Sequence, residues 1–276
     1  MSRRKDSTPW ITGATFAAGG FLLCLAMNKL GFMPSAWTSP LGRRQMKTAV
    51  LFGDSITQEA FDPSRMGWVS SLSAYWVRRI DVISRGYGGY NSRWGLKILD
   101  EAVVAIKPTV VIIFFGANDA VDPQVPQSVP LNEYVNNLRA MVGTLRSKLP
   151  STTVILMTPP AVYEPVLEEG NRLKGKALLR DRTVERTGKY ANAVMALGEE
   201  LGLSVVDNFY SMDPTQASRE VYFRDGLHLS AKGNQKVFSN IVTVIERDFP
   251  ELNPDPDKTE MVWPHWSRVV ENPGVL

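Results

Sequence analysis

Ser55 stands in Gly53-Asp54-Ser55-Ile56-Thr57, directly after an apolar run. A serine held on a tight turn at the mouth of a helix is placed to attack a carbonyl, because the first N–H groups of the helix favour a developing negative charge. Such a serine needs a base. The chain has two histidines, and His228 lies in Asp225-Gly226-Leu227-His228-Leu229-Ser230. A carboxylate three residues ahead of a histidine, on a turn leading into a helix, supplies the acceptor that holds the imidazole in one tautomer. His265, in Trp263-Pro264-His265-Trp266, has no carboxylate at that spacing and is read as packing the tail.

Two further segments can hold an oxyanion. Asn118, in Gly116-Ala117-Asn118-Asp119, offers a side-chain amide. Arg85-Gly86-Tyr87-Gly88-Gly89-Tyr90-Asn91-Ser92 is rich in glycine, which lets backbone approach a ligand and point an N–H at it. Singly these signals are weak, because Gly, Asp, Ser and Asn are the ordinary residues of turns. Their joint placement carries the argument.

That placement is set by an alternation of elements. Thr48–Phe52, Asp81–Ser84, Thr109–Phe115, Thr153–Met157 and Leu203–Val206 are rich in β-branched and aliphatic residues and read as buried strands. Between them, Trp68–Arg79, Trp94–Ile106, Leu131–Leu149 and Arg182–Leu201 space apolar residues three and four apart, as helices do. Ser230–Phe249 ends the series with Ser230 as N-cap. Strand–helix alternation predicts a parallel five-stranded sheet with helices on both faces, an α/β fold. In such sheets ligands bind at the carboxyl ends of the strands. Ser55, the glycine segment and Asn118 each follow a different strand, and His228 precedes the last helix. The stretch Pro159–Gly188 carries Glu164, Glu168, Glu169, Arg172, Lys174, Lys176 and Arg180; it is read as a solvated loop beside the pocket.

In their order, these blocks resemble the SGNH-hydrolase superfamily, the GDSL esterases and lipases. GDSIT, RGYGGYNSRW, FFGANDA and DGLHLSAKGN are most similar to its isoamyl acetate-hydrolysing esterase branch. The resemblance spans about residues 47 to 249. It implies a flavodoxin-like three-layer α/β/α fold and hydrolysis of small carboxylic esters with no metal or organic cofactor. It implies Ser55 as nucleophile, His228 as base and Asp225 as its orienting acid. The oxyanion falls to the backbone N–H of Ser55, that of Gly89 and the Asn118 amide. Asp54 and Asp119 are read as shaping turns. No G-x-S-x-G occurs, so the nucleophile is not that of the α/β-hydrolase elbow.

Composition bounds the remaining classes. The 276 residues carry 44% hydrophobic and 21% charged side chains, enough for a full core and too ordered in character for a disordered tail or a collagen-like fibre. One cysteine, Cys24, excludes an intramolecular disulfide framework. The net charge of +3 is uneven: residues 1–47 hold seven basic groups and one acid, so the rest of the chain is net −3. A mildly acidic body argues against a nucleic-acid partner.

Residues 1–46 read as a basic and apolar segment with a Pro- and Gly-containing linker, 47–250 as the hydrolase domain, and 251–276 as a Pro- and Trp-rich tail packed on it. Trp10–Met27 is uncharged and follows Arg3-Arg4-Lys5, so residues 10–30 are read as a transmembrane helix anchoring the enzyme to an endomembrane or organelle. A cleaved targeting segment and a soluble N-terminal helix in a cytosolic protein stay open beside it. Among hydrolases, a short-chain esterase leads. A lysophospholipase or thioesterase, a carbohydrate deacetylase, and an acyltransferase using the same acyl-enzyme are the alternatives.

Overall fold

Five runs of aliphatic residues pair in parallel: β1 (Lys47–Gly53), β2 (Ile80–Gly86), β3 (Val110–Phe114), β4 (Thr153–Met157) and β5 (Val205–Val206). In this computed structural model, which describes residues 46–254 and 261–275, their order across the sheet is β2-β1-β3-β4-β5. The helices are α1 (Ser55–Gln58), α2 (Trp68–Tyr75), α3 (Ser92–Ala102), α4 (Leu131–Lys148), α5 (Glu164–Leu173), α6 (Val184–Leu201), α7 (Ala231–Asp248) and α8 (Trp266–Glu271).

Side chains alternate across a strand, so each central strand feeds two cores. Ala49 and Leu51 of β1, Ile112 and Phe114 of β3, and Ile155 and Met157 of β4 point to one face. They meet Trp68 and Leu72 of α2, Trp76 at its C-terminal end, and Val237, Ile241 and Ile245 of α7. Val50, Phe52, Val111, Ile113, Val154 and Leu156 point to the other face, against Leu99 of α3, Leu138, Met141 and Leu145 of α4, and Val194 and Leu197 of α6. All five residues of β3 are buried, each worth about 1.5–3 kcal/mol in water-excluded apolar area. The expected three-layer α/β/α sandwich is what these two faces build.

Local chemistry moved several expected boundaries. The helix expected from Trp68 to Arg79 stops at Tyr75, because Arg78 takes a positive φ of 64° and turns the chain into β2. The one expected from Trp94 begins at Ser92, where Asn91 caps it by accepting from the Trp94 N–H at 3.0 Å. It ends at Ala102, before a 3₁₀ turn over Val104–Ile106 and Lys107 at φ 54°. α6 begins at Val184 instead of Arg182, since Thr183 is extended and accepts from the Arg186 N–H at 3.1 Å. α5 was not foreseen; it lies inside the charged stretch read as a loop. Ser230 caps α7, accepting from the Gly233 N–H at 3.2 Å.

After α7 the chain returns to α2. Trp76 Nε1 donates to the Leu252 carbonyl at 2.8 Å, and Arg78 Nη2 donates to the carbonyls of Trp263 (3.1 Å) and Pro264 (3.0 Å). This Pro- and Trp-rich tail carries α8, with His265 as its exposed N-cap. The apolar helix expected over residues 10–30 lies outside the described residues. Among the described residues no helix is long and apolar enough to cross a membrane.

Candidate active site

In a 2-1-3-4-5 sheet the strand order reverses between β1 and β3, which opens a crevice at their carboxyl ends. Ser55 sits there. Asp54 is extended and caps α1, its Oδ1 accepting from the Ile56 N–H at 2.8 Å, so Ser55 becomes the first helical residue. The N–H of a first helical residue has no intrahelical acceptor and stays available. Close packing of α1 on β2 demands a residue without a side chain at Gly86, where an added Cβ would lie 2.0 Å from the Gln58 amide nitrogen.

His228 reaches the serine from the turn ahead of α7. Its Nε2 is 3.0 Å from Ser55 Oγ, and its Nδ1 is 2.7 Å from Asp225 Oδ2. The other carboxylate oxygen of Asp225 accepts from the backbone N–H of His228 (2.7 Å) and of Leu227 (3.1 Å). Burial pushes the Asp225 carboxyl up, but the bonds from the His228 ring and these two amides outweigh it and hold the group well below the usual carboxylate range. Asp225 is therefore an anion facing Nδ1. Glu59 Oε1 lies 3.9 Å from His228 Nε2, too far for a hydrogen bond, and its carboxylate is engaged by Arg65 and Arg224.

Opposite the histidine, Gly89 and Asn118 line the same cavity as Ser55. Gly89 has a φ of +78°, which L side chains rarely adopt. Its segment is braced on both sides: Gly88 N–H donates to Gln58 Oε1 at 2.7 Å, and Gln127 Nε2 donates to the Gly89 carbonyl at 2.8 Å. Asn118 is nearly buried. Its Nδ2 donates to the Tyr90 carbonyl at 2.9 Å, while its Oδ1 accepts from Arg182 Nη2 at 2.9 Å.

Asp54 and Asp119 both lie under the crevice, 1% and 0% exposed. Burial pushes the Asp54 carboxyl up to about 7 against the pull of the Ile56 N–H, and the neighbouring Asp119 adds to the rise. Burial likewise pushes Asp119 up to about 6, opposed by its hydrogen bonds from Ser92. Asp119 Oδ1 accepts from the Ser92 N–H at 2.9 Å, which ties the turn after β3 to the start of α3. Both carboxyls bind backbone in turns.

Ser55, His228, Asp225, Gly89 and Asn118, all expected from sequence, thus come together around a cavity of about 250 Å³. α5 and the segment after it supply the far wall, including Leu167, Lys174 and Lys176. Arg182 also lines it. Arg182, Gln58 and Gln127 were not singled out from the sequence. Arg182 was hidden inside an expected helix; the Thr183 cap was the signal that leaves it outside. Among the described residues no group of three or more His, Cys, Asp or Glu converges as a metal site would require.

A parallel 2-1-3-4-5 sheet with a serine, a carboxylate-paired histidine, a glycine turn and an asparagine amide lining one cavity at its strand ends is the architecture of a hydrolase. Residues 51–236 match the GDSL-like lipase/acylhydrolase family, and the chain belongs to it. It is 39% identical over 229 residues to the isoamyl acetate-hydrolyzing esterase 1 homolog of Homo sapiens, across 80% of this chain and 88% of that protein. It is 38% identical over 207 residues to a GDSL esterase/lipase of Arabidopsis thaliana, across 72% of this chain and 85% of that one. Among solved structures, the lipase/acylhydrolase from Enterococcus faecalis superposes with a TM-score of 0.58 at 30% identity, covering 73% of this chain and 96% of that one. An acetyl xylan esterase, 19% identical with a TM-score of 0.58 over 72% of this chain and 99% of that one, shares the fold. The protein is an esterase of this family.

Proposed function

We propose that the enzyme hydrolyses short-chain, acetate-type carboxylic esters through an acyl-enzyme on Ser55. His228 Nε2 accepts the Ser55 proton as Oγ attacks the ester carbonyl. The tetrahedral oxyanion is held by the backbone N–H of Ser55 and of Gly89 and by the Asn118 amide. Asp225 holds the ring with Nδ1–H toward itself and stabilises the imidazolium. His228 then returns the proton to the departing alcohol. In the second half it takes a proton from water, whose oxygen attacks the acyl carbon, and returns that proton to Ser55 Oγ as the acyl–oxygen bond breaks and the acid leaves.

The observation that carries this reading is the continuous relay from Asp225 through His228 to Ser55, with contacts of 2.7 and 3.0 Å, opening on the cavity that Gly89 and Asn118 line. Two facts favour a small ester. The cavity of about 250 Å³ falls below the range of roughly 300–1,000 Å³ that encloses drug-sized ligands. The human relative is named for hydrolysis of isoamyl acetate, an acetate ester.

The test is a chain-length series of p-nitrophenyl esters from acetate to palmitate. The expected result is that kcat/KM is highest for acetyl to butyryl and falls with longer chains. A maximum at decanoyl or beyond contradicts the short-chain reading and supports the lysophospholipase or thioesterase alternative. Added alcohol separates hydrolysis from acyl transfer: the free acid is expected to stay the main product.

A further inference from the structure

An asparagine amide is nearly symmetric in shape, and only one of its two orientations serves an oxyanion. Nδ2 must face the crevice; after a 180° flip the site would present an oxygen to a developing negative charge. Something must select the orientation. Arg182 Nη2 donates to Asn118 Oδ1 at 2.9 Å, and the Tyr90 carbonyl accepts from Nδ2 at 2.9 Å. A guanidinium carries donors and no acceptor, whereas a carbonyl has no donor. The flipped amide would set donor against donor on one side and oxygen against oxygen on the other. One N–H of Nδ2 is taken by Tyr90, which leaves the second for the reacting carbonyl oxygen.

Arg182 is itself held firmly. It is 7% exposed; Nε donates to the Ala117 carbonyl at 3.1 Å, and Nη1 donates to Asp181 Oδ2 at 3.1 Å. Asp181, 3% exposed, also accepts from Asn171 Nδ2 at 3.0 Å and from Lys176 Nζ at 3.1 Å. Bonds from a cation to an amide oxygen are stronger than neutral ones and polarise the amide, which makes its N–H a better donor. We infer that Arg182 is a positioning residue for the oxyanion hole, acting through Asn118 by fixing and polarising its amide. The inference rests on the serine-esterase reading and adds to it a residue outside the Ser, Gly, Asn and Asp-His blocks.

The experiment is a double-mutant cycle on the full chain, with kcat and KM for p-nitrophenyl acetate measured in Arg182→Met, Asn118→Ala and the combined variant. If Arg182 works through Asn118, R182M lowers kcat by about tenfold or more with KM within roughly twofold, yet costs less than about twofold when Asn118 is already alanine. An equal kcat loss in both backgrounds overturns the inference, as does a loss confined to KM. If R182M does not fold by circular dichroism, Arg182→Lys takes its place: the single nitrogen of an ammonium cannot span acceptors that Nε, Nη1 and Nη2 reach separately, and the same non-additivity is required. A readout without turnover keeps the two readings apart. The Asn118 side-chain amide resonance, assigned with N118A, is expected to shift in the Arg182 variants. An unmoved resonance overturns the inference, whereas a wild type that hydrolyses no ester overturns the esterase reading and leaves the resonance to judge Arg182.

Discussion

A serine hydroxyl becomes a nucleophile only when a base takes its proton, and the chain offers two histidines for that work. His228 has the geometry, at 3.0 Å from Ser55 Oγ, while His265 caps α8 in the tail. Replacing His265 by alanine is expected to leave most of the hydrolysis of p-nitrophenyl acetate; loss of activity in a folded H265A protein would argue against this assignment. Asn118→Ala removes one of the three proposed oxyanion donors, so kcat is expected to fall on the order of 10²–10³. A change below twofold in kcat would remove Asn118 from the mechanism. These residues were legible in the sequence because acyl transfer demands particular types: a serine after a strand, a histidine with its acid, an amide. Arg182, Gln58 and Gln127 were not. Their roles come from approaches between distant segments, such as the 64 positions separating Arg182 from Asn118, which no local spacing encodes.

The elements do their work at their ends. β1 delivers Ser55 because Asp54 stops the strand and caps α1, yet that carboxyl is buried and its proton is retained up to about 7. Between the unfolded value near 4 and this folded value the native state binds more protons than the unfolded chain, so stability falls as pH rises through that window. Asp54→Asn keeps an oxygen for the Ile56 N–H and cannot ionise. Urea unfolding from pH 4 to 8 is expected to give this variant a shallower decline than the wild type. An unchanged slope would show that Asp54 ionises freely in the native state. Asp225 has the opposite sign: its carboxyl is held low, so its contribution is present above about 4 and is lost as pH falls through the folded value. The five strands were readable from β-branched runs, and most helices from their period. α5 was not, because Glu168, Glu169 and Arg172 made its sequence look solvated while Leu167 and Asn171, four apart, form its buried side.

At the scale of the whole molecule, the sheet order brings three strand ends and the α7 turn to one crevice, and the tail closes back on α2. Trp76 is fully buried and donates to Leu252, so Trp76→Ala is expected to destabilise the fold by about 3–5 kcal/mol in denaturant unfolding. A cost below about 1 kcal/mol would mean that the tail and α2 are not packed as described. The layered architecture was legible from the alternation of elements alone. Where the N-terminal segment goes was legible only as an expectation. Trp10–Met27, uncharged and preceded by three basic residues, is proposed to anchor the enzyme in a membrane. The full chain is then expected to stay in the pellet after carbonate extraction, and its release to the supernatant would reject the anchor.

The central claim is a covalent acyl-enzyme on one serine. Peptide mass spectrometry after reaction with a fluorophosphonate tests it most directly. The expected result is a single adduct on the peptide containing Ser55, absent in Ser55→Ala, with ester hydrolysis lost in parallel. An adduct on another residue, or a folded S55A protein that hydrolyses p-nitrophenyl acetate at the wild-type rate, would contradict it.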